Sequence, residues 1–127
     1  MATTYDRRSN SKNTPIWEHA CTQMSWANGA GHAAKTETVS VNGGVKNITA
    51  VITAATSDPD VTIIIKDLSG NQLYSTGALN DGQTVVKSAA TDFYEWQVCG
   101  KGFIVSVDPD ADAGVSGLTV DITLRGV

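Results

Sequence analysis

From Thr36 to the end of the chain, short apolar runs alternate residue by residue with polar positions, and turn-forming residues interrupt them about every 8–12 positions. The alternation is cleanest in the last run. There Leu118, Val120, Ile122 and Leu124 fall on one face, and Thr119, Asp121, Thr123 and Arg125 on the other. The same period turns Ile48, Ala50, Ile52 and Ala54 inward, together with Val61, Ile63 and Ile65 and with Phe103, Val105 and Val107. Ile64 points to the second face, where an arm or a partner would cover it. Strands are predicted over Thr36–Val41, Val45–Ala54, Val61–Asp67, Gln72–Thr76, Thr84–Ser88, Tyr94–Cys99, Phe103–Asp108 and Leu118–Arg125. The expected fold is all-β, an antiparallel β-sandwich of these eight strands over residues 36–127.

The connections support this division. Asn42-Gly43-Gly44, Ser57-Asp58-Pro59-Asp60, Asn80-Asp81-Gly82, Gly100-Lys101-Gly102 and Asp108-Pro109-Asp110 each supply a Gly or Asn for positive φ, or a Pro that fixes φ. Asp67-Leu68-Ser69-Gly70-Asn71 is the clearest hairpin. Residues 1–35 follow neither a period of two nor one of 3.6, and carry Ile16, Trp17, Met24 and Trp26 within a polar background. That segment is expected to be an N-terminal arm that gains stability by docking its apolar anchors, on its own body or on a neighbour, or equally an N-terminal strand with a loop folded on the chain's own core.

Charge sharpens the division. The 127 residues carry a formal net charge of −4 at pH 7. Residues 1–35 contribute +2 through Arg7, Arg8, Lys12 and Lys35, leaving −6 on the body. An acidic body without a concentrated basic face is poorly suited to nucleic acid. No apolar run is long enough for a membrane-spanning helix, and the first twenty residues lack the apolar core of a secretory signal, so assembly in a cytoplasm is expected. Cys21 and Cys99 are expected to remain unpaired there.

Few residues offer chemistry. Asp108, Asp110 and Asp112 resemble the start of a calcium loop, in which a hard cation takes oxygens at alternating positions. The loop departs from the EF-hand pattern, because its glycine is Gly114 and its twelfth residue is Thr119, so an ordinary turn is the preferred reading. His19 and His32 lack a ligand at i+3 or i+4. Neither G-x-S-x-G nor a phosphate-binding glycine motif occurs. No enzyme activity and no cofactor are therefore expected. Phe93, Tyr94 and Trp96 cluster, and are expected to fill the sandwich or to meet a neighbouring subunit; an exposed strip would suit sugar binding.

The stretch from Val61-Thr-Ile-Ile-Ile-Lys-Asp-Leu-Ser-Gly-Asn to Gly77, and the ending Phe103-Ile-Val-Ser-Val-Asp-Pro-Asp with Val115-Ser-Gly-Leu-Thr-Val-Asp-Ile-Thr-Leu-Arg, resemble small β-sandwich structural proteins of tailed bacteriophages. The resemblance implies a non-enzymatic virion component that decorates or stabilises a capsid, with neck, tail or fibre-base components as neighbouring roles. It implies the major capsid protein or other virion subunits as partners and a homo-oligomer, such as a trimer, as the working form. Arg7, Arg8, Ile16, Trp17, Met24 and Trp26 would be the partner contacts. A carbohydrate-binding module using Tyr94, Trp96 and the acidic loops is the alternative from another class.

Overall fold

The computed structural model describes residues 3–6 and 17–127. Two antiparallel sheets form a β-sandwich, with no α-helix among the described residues. The strands are β1 (Thr3–Asp6), β2 (Trp17–Ala20), β3 (Met24–Trp26), β4 (Lys35–Val39), β5 (Gly43–Ile52), β6 (Val61–Lys66), β7 (Gln72–Leu79), β8 (Gln83–Ser88), β9 (Cys99–Gly100), β10 (Phe103–Pro109) and β11 (Leu118–Gly126). One sheet runs β1-β2-β11-β5-β8, with β3 also on β11 and β9 on β5, and the other runs β4-β10-β6-β7.

The period of two places the core where the sequence predicts it. Leu118, Val120, Ile122 and Leu124 are buried from the first sheet, as are Ile48, Ala50 and Ile52, against Val61, Ile63, Ile65, Phe103, Val105 and Val107 from the second. Ala54 is exposed, because β5 ends at Ile52, and Ile64 is half-buried. The hairpin between β6 and β7 closes through Asp67, whose Oδ1 accepts the backbone N–H groups of Ser69 and Asn71, both at 2.9 Å. Gly70 adopts φ 91° there, the left-handed region that a side chain resists.

Two expectations change. The run Tyr94–Cys99 is not a strand: a 3₁₀ turn, Glu95–Gln97, precedes the two-residue β9. The sheet also does not begin at residue 36. β2 pairs with β11 over Thr123–Gly126, β3 pairs with it over Leu118–Val120, and between them the Cys21 N–H bonds to the Ile122 carbonyl at 2.8 Å. Trp17, Cys21, Met24 and Trp26 are all buried in the chain's own core. Three of the residues expected to grip a partner, Trp17, Met24 and Trp26, are thus interior side chains, since burial within the chain already removes them from water. Arg7, Arg8, Lys12 and Ile16 lie outside the described residues.

Trp17 is the largest of the fully buried side chains, and its indole lies against Gly126. A Cβ at Gly126 would overlap both that ring and the Gly44 carbonyl oxygen. Gly126→Ala is therefore expected to destabilise the chain by about 3 kcal/mol, the upper end for overpacking. Urea denaturation measures this as a lower midpoint at unchanged slope; an unchanged midpoint would show that Trp17 does not depend on this glycine.

Candidate functional site

Two groups of side chains stand out from the framework. The first is the turn after β8. Phe93 is buried and packs on Tyr74, with ring centroids 4.9 Å apart, and Val98 is fully buried. Between these pins the chain makes one 3₁₀ turn, in which the Gln97 N–H bonds to the Tyr94 carbonyl at 2.9 Å and Gln97 Nε2 donates to the Leu73 carbonyl of β7 at 2.8 Å. The anchored turn throws Tyr94 and Trp96 outward, at 65% and 74% exposure. Their rings stack on each other, with centroids 5.6 Å apart and planes 10° apart. Of the two expectations for these rings, filling the sandwich does not hold, since both lie on its surface, where a neighbouring subunit could meet them. The alternation fails there because the backbone is a turn and not a strand.

Beside the pair is an open cleft of about 210 Å³ lined by Ala90, Thr91, Asp92, Phe93, Tyr94 and Gln97. It falls below the roughly 300 Å³ at which small-molecule pockets begin. A second cleft, of about 370 Å³, is lined by Ser25, Trp26, Ala27, Thr53, Ala54 and Ser116–Thr119, and none of these carries a titratable side chain.

The second group lies between the sheets. His19 Nε2 is 2.7 Å from Glu37 Oε2, and the Thr22 N–H donates to Glu37 Oε1 at 2.9 Å. Cys21 joins them through its thiol: burial first, then the negative charge of Glu37 and a hydrogen bond to it, push the thiol up to about 12. For Glu37 burial likewise pushes the carboxyl up, but the hydrogen bonds from His19 and the Thr22 N–H, with the His19 charge and the Cys21 thiol, outweigh it and hold the carboxyl below the usual range. A thiol so strongly held protonated is a poor nucleophile. His19 occupies an inward position of β2, where a polar residue hides the strand from a hydrophobic pattern.

The acidic loop behaves as a clamp. Asp112 Oδ2 accepts from the Gly29 N–H at 3.2 Å and the Gly114 N–H at 3.1 Å, and Oδ1 accepts from the Gly31 N–H at 3.1 Å. These bonds, from Gly114 and Gly29 above all, lower the Asp112 carboxyl below its usual range. Asp110 Oδ1 accepts the Asp60 N–H at 2.9 Å, joining the two acidic loops through backbone, and Asp108 is exposed. Asp108, Asp110 and Asp112 do not converge as cation ligands; among the described residues His19, Cys21 and Glu37 are the group whose donor atoms do. Cys21 and Cys99 are both free, as expected, one buried and one exposed.

No family model matches the sequence, and no curated protein matches it. Among solved structures, the crystal structure of the Yersinia pseudotuberculosis-derived mitogen is similar over 76% of this chain and 86% of that chain, at 14% identity and a TM-score of 0.34. A likeness at that level assigns neither family nor function.

The Asp112 clamp has a direct consequence. Because the folded carboxyl is depressed, its contribution is full above the unfolded carboxylate range and fades as pH falls through the lowered folded value. At neutral pH, Asp112→Ala is expected to speed proteolysis between residues 27 and 33 and to lower Tm, whereas Asp108→Ala leaves both unchanged. Equal effects from the two variants would show that Asp112 does not clamp the loop.

Proposed function

We propose that this protein is a non-enzymatic assembly protein that attaches to a larger protein particle, with the Tyr94–Trp96 pair as its docking anchor. The observation that carries the reading is the exposure of two stacked aromatic rings on a turn pinned from both sides by the core. Aromatic side chains are over-represented among the few residues that dominate protein interfaces. A pinned turn also pays little ordering entropy on binding, because its backbone is already held in place.

The setting we propose is the one the sequence resemblance implies, decoration or stabilisation of a tailed-phage capsid. The partner is then the major capsid protein or another virion subunit, and the chain works as a homo-oligomer in the virion after assembly in the host cytoplasm. Support comes from the Thr-rich sandwich and from its remaining polar side chains, many of which brace loops and strand ends. Asp67 closes a hairpin, Asp81 accepts the Ala55 N–H at 2.7 Å, and Thr56 and Ser116 exchange hydrogen bonds at 2.9 and 3.0 Å. Stacking uses one face of each ring, which suits insertion into an apolar groove on a protein better than a flat platform for a pyranose.

Trp96→Ala and Tyr94→Ala are expected to leave the far-ultraviolet circular dichroism and Tm unchanged while weakening co-sedimentation with cognate capsids lacking the protein by about 30-fold each, the effect of losing an interface hot spot. Unchanged capsid binding in the double variant would sink this reading. Glycan binding that quenches Trp96 fluorescence would replace it with the sugar-binding one.

A further inference from the structure

His19, Cys21 and Glu37 come from three separate backbone positions that the fold brings together across the sandwich. His19 sits in β2 of the first sheet, Cys21 immediately follows that strand, and Glu37 belongs to β4 of the second sheet. The imidazole nitrogen, the thiol sulfur and a carboxylate oxygen lie within 4.8 Å of one another. We propose that these three residues form a zinc site that staples β2 to β4.

The donor set suits the ion. Zinc takes nitrogen, sulfur and oxygen ligands with bonds of about 2.0–2.3 Å, which places tetrahedral donors about 3.3–3.6 Å apart. Binding requires the His19–Glu37 contact of 2.7 Å to open slightly and the sulfur to draw in, both by side-chain rotation. A divalent ion with one thiolate, one carboxylate and a neutral imidazole is electrically neutral as a unit, which limits the cost of burying it. As the zinc–sulfur and zinc–nitrogen bonds form, the thiol proton and the proton that His19 Nε2 shares with Glu37 both leave those atoms, and the imidazole binds neutral with one proton on Nδ1.

The ligands are also held for the task. Backbone pairing on both sides fixes His19, opposite Thr4 and Leu124, and the bond to the Ile122 carbonyl fixes the Cys21 backbone. The Thr22 N–H orients the second oxygen of Glu37. Side-chain exposure is 17% at Glu37 against 7% at His19, so the ion enters from the Glu37 side, and water completes its coordination there.

The test uses the full-length chain with cobalt(II) as a spectroscopic probe and zinc(II) as its competitor. In a Cys99→Ser background, one equivalent of cobalt is expected to give a thiolate-to-cobalt band that zinc abolishes, and excess zinc to raise Tm by about 5 °C. Cys21→Ser is expected to remove both effects. Glu37→Gln, which retains a hydrogen-bonding oxygen, is expected to weaken cobalt binding at least about tenfold. Should Cys21→Ser fail to fold, Glu37→Gln carries the test alone. A folded chain that shows no band and no zinc-dependent rise in Tm contains a hydrogen-bonded triad only, and a band that persists in Cys21→Ser or is indifferent to Glu37→Gln also overturns the site.

Discussion

The C-terminal strand β11 is the member on which the rest of the first sheet depends. Its inward residues Leu118, Val120, Ile122 and Leu124 line the core, and its backbone is shared between β5 on one side and β2 and β3 on the other. A strand buried in this way must satisfy its N–H and C=O groups along both edges. The segment from Trp17 to Trp26 does so for one edge, with strand pairing interrupted at residues 21–23 while the Cys21 N–H continues the ladder. At the end of β11, Gly126 lets the Trp17 indole close the core, so the N-terminal strands complete the sandwich from within.

The body was largely legible because burial there follows a period of two. The strands β4, β6, β8, β10 and β11 begin within one residue of their predicted positions, and the Asp67–Asn71 hairpin forms as its turn chemistry requires. The N-terminal strands were not legible. β2 and β3 have four and three residues, and β2 alternates only if His19 counts as an inward residue. What makes a buried histidine acceptable is Glu37 on the opposite sheet, a long-range partner that local periodicity cannot reveal. For the same reason, a segment that looks like an arm with unpaired anchors has its partners at the far end of the chain.

The aromatic turn shows the opposite case. Phe93, Tyr94 and Trp96 read as one strand of apolar residues, yet only Phe93 enters the core. The segment forms a 3₁₀ turn, tied to β7 by Gln97 at the Leu73 carbonyl, and this turn divides the rings between inside and outside. The candidate docking site thus arises where local propensity and tertiary structure disagree, and the inter-sheet triad arises where a polar residue occupies a core position. Departures of this kind from a consistent pattern are where function is sought first.

Native-state hydrogen exchange on the intact chain tests most directly whether the N-terminal strands belong to the sandwich. The amides of Cys21, Met24 and Trp26 are expected to exchange as slowly as those of Val120 and Ile122, because they open only with the whole core. Fast exchange between residues 17 and 26 beside a protected β11 would show instead that this segment is an arm resting on a body that folds without it.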